Sequence, residues 1–343
     1  MKKILAPTQK DDGCSFFRIE TPARYIADFE IESPVYSINK FAPPAKTGLR
    51  IFDRVAGSLW DRRKLRERER MVRRQSSFDA FWLSRSLMSF PNNADRTVSH
   101  LVYDIDDAVW LNGEANHCFE HHCRNARVVF AGNSFLADYA SKHTRNIKIV
   151  PTSVDLEYHR NLGLVNDTFN VGWIGSAAGL FYLEDSADDL LSFFRKRTDA
   201  RLLIVAERFP DNLDPLKKYI DYIPWSRGTE IDSINRFSVG IMPLRNTPWE
   251  LGKCAFKMLQ YMACEIPVIV SPVGMNVEVM DVSKTSGRFG EFAARSWAEV
   301  LDHYYLLGDV ARRDQGRSGR VAAGHYATPV IAARISSHFK KYL

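Results

Sequence analysis

Short runs rich in β-branched and aliphatic residues alternate with longer amphipathic stretches along the whole chain, in two successive series. Alternation of this kind is what parallel strands joined by crossover helices require, so an α/β architecture is expected. The candidate strands of the first series are 3–6, 33–37, 100–104, 128–131 and 147–150, and those of the second are 170–174, 200–206, 219–223, 238–242 and 267–270. Each series has the content of its own doubly wound sheet. At 343 residues the chain exceeds one ordinary core and accommodates two lobes of roughly 150 to 170 residues each. Asp155, Asn161, Gly163, Asn166 and Asp167 interrupt the hydrophobic periodicity just before a fresh strand, which places the boundary near Leu164. The expected domains are 1–164 and 165–327, followed by a segment 328–343 whose helical pattern folds back on the first lobe.

Ligands of doubly wound sheets sit beyond the carboxyl ends of the strands, so the candidate ligand-binding residues are those that follow strands. In the second series, Gly172-Trp173-Ile174-Gly175-Ser176-Ala177-Ala178-Gly179 runs from a strand into a small-residue loop, with a helix expected near Phe181. Small residues there let backbone N–H groups approach a phosphate at a helix start; a tight structural turn is the competing reading. Farther on, Lys253, Lys257 and Gln260 share one helical stripe, while 255, 258, 259, 262 and 263 form an apolar inner face. Two lysines and an amide suit a diphosphate and a ribose hydroxyl, although a lysine stripe also describes a solvated surface. Thr247-Pro248-Trp249-Glu250 reads as a capping box, in which Glu250 satisfies backbone donors.

Taken together, these segments resemble the C-terminal half of the family 4 retaining glycosyltransferases, which have the GT-B architecture. Lys257-Met258-Leu259-Gln260-Tyr261-Met262-Ala263-Cys264-Glu265-Ile266-Pro267-Val268-Ile269 is similar to that family's Lys-Leu-x-Glu-Tyr-Met-Ala-x-Gly-x-Pro-Val-Val element, and Gly274 to Glu278 is similar to its glycine loop followed by Glu. The resemblance implies two Rossmann-like parallel-sheet domains facing a cleft, with a C-terminal helix returning to the first. By position, Gln260 falls where the family's ribose-holding Glu stands, Lys257 falls on a phosphate-binding lysine, and Glu250 is the nearest acid for the donor sugar. The family's paired glutamates are missing, since Gly252 lies eight before Gln260, and so is its Arg and Lys–Gly pair. Arg245, Lys253 and Lys257 would then supply the positive charge.

In the first series, Asp104, Asp106 and Asp107 cluster at a strand end, which is costly unless a cation, a helix start or a hydroxyl ligand uses them. Three readings compete: Asp107 as a helix cap; Asp104-Ile105-Asp106 as the metal motif of GT-A enzymes or a phosphatase-like nucleophile; and the resemblance, in which Asp106 stands where many relatives carry a His facing the acceptor. On the last, Asp106 with Asp104 beside it is the catalytic candidate, orienting the acceptor hydroxyl or stabilising an oxocarbenium-like transition state. Gly13, in Asp11-Asp12-Gly13-Cys14-Ser15, resembles the family's glycine loop at the reacting centre, and Arg18 is a further acceptor-side candidate.

The implied reaction is metal-independent, retaining hexosyl transfer from a UDP- or GDP-linked sugar to a glycan or lipid-linked acceptor, with no separate cofactor. A nucleotide-sugar epimerase on the same scaffold and a non-catalytic binding module remain alternatives, the latter because Gln260 replaces Glu. Cys118 and His122, four apart, invite a zinc site, but no second ligand pair at finger spacing accompanies them.

Composition narrows the setting. With 45% hydrophobic and 26% charged residues the chain is of globular type. No apolar run reaches signal-peptide length at the N-terminus or the ~20 residues of a membrane span elsewhere, and five scattered cysteines fit a reducing compartment. A cytoplasmic protein is expected. The net charge of +6 is concentrated between Arg54 and Arg74, where nine basic residues face three acidic ones in a proline-free helical segment. A solvated helix face and an anionic membrane surface both fit; nucleic acid is not expected, because no recognition motif accompanies the patch.

Overall fold

The computed structural model describes residues 1–9, 13–36, 47–84, 93–111, 115–294 and 296–343. Asp11, Asp12 and Ser37, named above, lie outside them. The chain divides into unit 1, Met1–Ser153 with Thr328–Leu343, and unit 2, Val154–Ala327.

Unit 1 contains β1 (Lys2–Leu5), β2 (Thr8–Gln9), β3 (Phe29–Glu32), β4 (Val35–Tyr36), β5 (Ala80–Ser84), β6 (Leu101–Ile105), β7 (Val128–Ala131) and β8 (Ile147–Ile149). Six of these form a parallel sheet in the order β3-β1-β5-β6-β7-β8, and β2 pairs with β4 separately. Every residue of β5, β6 and β7 is buried, as strands covered on both faces must be. Of the expected strand 33–37 only Val35 and Tyr36 are strand, as β4; the sheet strand β3 ends before it at Glu32, and Ser33 and Pro34 separate the two, Pro34 having no N–H to continue a ladder. The C-terminal helix Thr328–Tyr342 returns to this unit and inserts Ile331, Ile335 and Phe339 into its core. The Phe339 ring stands edge-on to Trp82 at 5.3 Å and to Phe29 at 5.4 Å. Asp28 ties the helix exterior, accepting from Ser336 at 2.7 Å and pairing with Lys340 at 2.8 Å.

Unit 2 contains β9 (Asn170–Ile174), β10 (Arg201–Ala206), β11 (Ile220–Pro224), β12 (Val239–Met242), β13 (Val268–Val270) and β14 (Gly290–Phe292), all parallel in the order β11-β10-β9-β12-β13-β14. Counted within the unit this is the 3-2-1-4-5-6 Rossmann order, which puts the topological switch between β9 and β12. A Cβ on Gly240 of β12 would lie 2.4 Å from the Tyr261 ring, so the glycine admits that ring against the strand. The Tyr261 hydroxyl then accepts from Ile174 N at 3.0 Å, clamping the helix Phe256–Ala263 to the end of β9.

The division falls at Ser153/Val154 and not near Leu164. The polar stretch that reads as a linker is bonded into unit 2: Val154 bridges to Ala327, Arg320 donates to the carbonyls of Leu156 and His159 at 2.9 Å each, and Leu162 N donates to Asn235 at 2.8 Å. Among the described residues no helix is long and apolar enough to cross a membrane.

Candidate functional site

At the switch point of unit 2, Gly175 follows β9 and its N–H donates to Val205 O at 3.0 Å. A Cβ there would lie 2.6 Å from Lys257 Cε and 2.7 Å from the Trp173 indole. The glycine leaves room for the buried Trp173 ring, and the Lys257 stem crosses the end of β9 there, one turn before the Tyr261 clamp on the same helix. Ser176 precedes the short turn Ala177–Gly179 without capping it through its side chain. The Ala177 N–H donates to the Glu207 carboxylate at 2.6 Å. That amide, expected to face a phosphate, is thus satisfied within the unit.

The lysine stripe is not a single helical face. Helix Pro248–Leu251 ends at Gly252, Ala255 adopts a left-handed φ of 51°, and a new helix begins at Phe256. Lys253 lies in this break, its ammonium 5.4 Å from the Trp249 ring centroid, so it shares no stripe with Lys257. Gln260, 4% exposed, faces inward. Its Nε2 donates to Glu230 Oε1 at 3.1 Å and lies 3.1 Å from His159 Nε2. The His159 ring stands between two acceptors, with Nδ1 3.2 Å from Asp155 O and Nε2 3.2 Å from Glu230 Oε1. Trp225 Nε1 completes the cluster by donating to Glu230 Oε2 at 2.9 Å. The Gln260 amide nitrogen is thus engaged within this buried cluster.

Glu250 is also buried and accepts from the Tyr182 hydroxyl at 2.6 Å and from the Thr247 hydroxyl. Thr247 makes no side-chain cap to the backbone, so the expected capping box does not form. Gly274 has φ +51°, and a Cβ there would sit 3.0 Å from Leu251 O; its loop packs directly on the Glu250 segment. Glu278 lies exposed on the following helix, Met275–Asp281. Arg245 is held by Asp185 through two bonds of 2.5 and 2.8 Å, 4.4 Å from the Phe181 ring centroid. Its hydrogen bonds to the Asp185 carboxylate raise its pKa further.

In unit 1 the catalytic candidate Asp104 is fully buried at the end of β6. It pairs with Arg18, whose Nε and second guanidinium nitrogen lie 2.8 and 2.7 Å from Oδ1, and Oδ2 accepts from Trp82 Nε1 at 3.2 Å. Arg18 also donates to Val150 O at 2.7 Å. Burial pushes the Asp104 carboxyl up to about 6, against the pull of Arg18. This pair is an internal strut joining the turn Phe16–Glu20 to β6 and the end of β8, so neither member is presented to an acceptor. Asp106, two residues on, is half-buried and is the acid of the two that borders solvent. Among the described residues, a Cβ on Gly13 would find its nearest neighbour, Phe17, at 3.9 Å, an ordinary contact. Cys118, His122 and Cys123 are buried, the His122 ring edge-on to Tyr103 at 5.0 Å, and burial pushes the Cys123 thiol up to about 12.

No family model matches the chain, and no curated protein matches it in sequence. Solved structures match it over its whole length. Sucrose-phosphate synthase from Thermosynechococcus elongatus aligns with a TM-score of 0.69 at 12% identity, covering 99% of both chains. Anabaena HepE in complex with UDP-glucose gives 0.69 at 12% identity, covering 99% of this chain and 100% of that one. A glycosyltransferase from Rickettsia africae ESF-5 gives 0.66 at 12% identity, covering 99% and 98%. The chain has the GT-B fold. Within this GT-B chain, Gly175, Lys257, Glu250 and Gly274 are placed around the β9/β12 switch, whereas His159, Glu230, Trp225 and Tyr182 enter without any signal in sequence spacing.

Proposed function

We propose that this GT-B protein transfers a sugar from a nucleoside-diphosphate sugar to an acceptor hydroxyl, with unit 2 as the donor domain and unit 1 as the acceptor domain. The observation that carries this reading is the crossing of Lys257 over Gly175 at the switch point of a Rossmann-ordered sheet, where a diphosphate is expected. The likeness to HepE in complex with UDP-glucose supports a UDP-linked donor.

In this reading Lys257 pairs with the diphosphate, the Gln260 oxygen accepts from a ribose hydroxyl, and Glu250 with the Gly274–Glu278 segment addresses the sugar. The Tyr182 and Thr247 hydroxyls hold the Glu250 carboxylate in place. Asp106 orients the acceptor hydroxyl. The transfer is retaining and metal-independent: the acceptor oxygen attacks the anomeric carbon on the face the diphosphate leaves, a donor phosphate oxygen takes the hydroxyl proton, and the nucleoside diphosphate departs. The protein contributes positioning and charge stabilisation. The acceptor is a glycan or a lipid-linked glycan precursor.

Titration calorimetry with UDP, GDP and their glucose conjugates tests the donor half. UDP and UDP-glucose should bind, and Lys257→Ala should weaken them about 10- to 100-fold through loss of a charge-assisted contact. Failure of every nucleoside diphosphate to bind would sink the proposal. NMR of the product anomer separates retention from inversion, and incubation without acceptor separates transfer from epimerisation.

A further inference from the structure

The helix Arg50–Arg73 of unit 1 buries Arg68, Met71 and Val72 on its inner side, with the Arg68 guanidinium donating to the Tyr36 hydroxyl at 2.6 Å. At about 100° per residue, positions 51, 52, 55, 59, 62, 63, 66, 70 and 73 fall on the outer side, within one arc of roughly 120°. The chemistry along that arc changes partway. Its first turns present Ile51, Phe52, Val55 and Leu59, each between 53% and 77% exposed. Its later turns present Arg62, Arg63, Arg66, Arg70 and Arg73, all exposed. None of these five is held in an ion pair among the described residues; the pair between Lys64 and Asp61, at 2.7 Å, lies off the arc. Of the helix's acids only Glu69 reaches the arc, at its edge.

A merely solvated helix face does not gather four large apolar side chains into one patch. A helix that tracks nucleic acid uses arginines but has no use for an aliphatic and aromatic patch in line with them. We propose that this face docks the protein on an anionic lipid bilayer. The apolar quartet enters the boundary between headgroups and acyl chains, and the arginines pair with headgroup phosphates. Because both sets share one arc, a flat surface meets them together, with the helix, about 36 Å long, lying in the membrane plane. The proposal stands on this helix alone and is independent of donor chemistry in unit 2.

The full chain is sedimented with vesicles of phosphatidylcholine alone and with phosphatidylglycerol added, at low and high salt, beside a gel-shift assay with duplex DNA. Binding should require phosphatidylglycerol and fall with salt. A basic residue near an anionic surface raises the binding constant about fivefold, so R62Q/R66Q/R70Q/R73Q should lower it on the order of a hundredfold or more. I51S/V55S/L59S should lower it at least about tenfold while leaving the salt dependence in place. All substituted side chains are exposed, so both variants should keep the wild-type thermal unfolding curve. R313Q/R317Q, on a helix of unit 2, serves as the charge control and should bind as wild type. The proposal is overturned by equal binding to neutral vesicles, by no binding to anionic vesicles at low salt, by either helix variant binding as wild type, or by an equal loss in the R313Q/R317Q control. Tight DNA binding lost in the arginine variant, with vesicle binding unchanged, would assign the face to nucleic acid instead.

Discussion

Arg18→Met removes the cation that Asp104 faces inside unit 1, and the structure allows the consequence to be sized. The two side chains are 2% and 1% exposed and meet at 2.7 and 2.8 Å, so neither reaches water when its partner is lost. Breaking a buried pair on one side costs about 3–5 kcal/mol, because an uncompensated charge stays buried. For a unit of this size that corresponds to a fall in Tm on the order of 10 °C. Arg18→Met combined with Asp104→Leu should recover a large part of the loss, since an apolar pair needs no counter-charge. The pH dependence carries its own sign. The folded-state pKa of Asp104 is raised from 3.8 to about 6, so its stabilising protonation is complete below 3.8 and lost as pH rises through 6. Without Arg18 that pKa moves higher still, and the deficit of the single variant should grow between about pH 5 and pH 8. Urea unfolding followed by tryptophan fluorescence measures this, with Trp82 bonded to Asp104 as a local reporter. A cost under about 1 kcal/mol at pH 8, a deficit flat with pH, or a double variant no better than the single would refute the strut assignment.

Gly175→Ala should cost about 1–3 kcal/mol, because its methyl would lie 2.7 Å from the buried Trp173 ring, and displacement of Lys257 should weaken UDP in the same calorimetric titration. Gln260→Leu takes a hydrogen-bond donor from the buried Glu230 and should cost about 1–3 kcal/mol in urea unfolding. Gln260→Glu sets a second carboxylate beside Glu230, so its cost should be larger at pH 8 than at pH 5. Phe339→Ala empties the space shared with Trp82 and Phe29 and should cost about 3–5 kcal/mol, read by thermal unfolding of the full chain.

Most strands of both sheets were legible because parallel strands are local apolar runs separated by helices. β5 was missed: Ala80-Phe81-Trp82-Leu83-Ser84 is buried throughout and carries no alternation to mark it. β14 was missed because Gly290-Glu291-Phe292 is too short to stand out. The apparent linker before Thr168 reads as polar punctuation, yet Arg320 and Asn235 bind it into unit 2 from far along the chain.

The order of strand-end elements in the second half, and with it the expectation of a GT-B chain, is a local property, since each loop follows its strand in sequence. Glycine at 175 and lysine at 257 are likewise visible as residue types. That the lysine stem crosses the glycine at the end of β9 is a fact of packing between residues far apart in sequence. The helical stripe of Lys253, Lys257 and Gln260 failed for a related reason: periodicity presumes an unbroken helix, and the left-handed Ala255 breaks it. Asp104 reads as a catalytic acid by position, but burial and a guanidinium brought in from Arg18 decide what a carboxylate at that position does. Composition and spacing thus determine which elements form and in what order. Only the tertiary structure decides which polar groups meet each other and which remain for a ligand, because desolvation and pairing depend on neighbours that the local sequence does not contain.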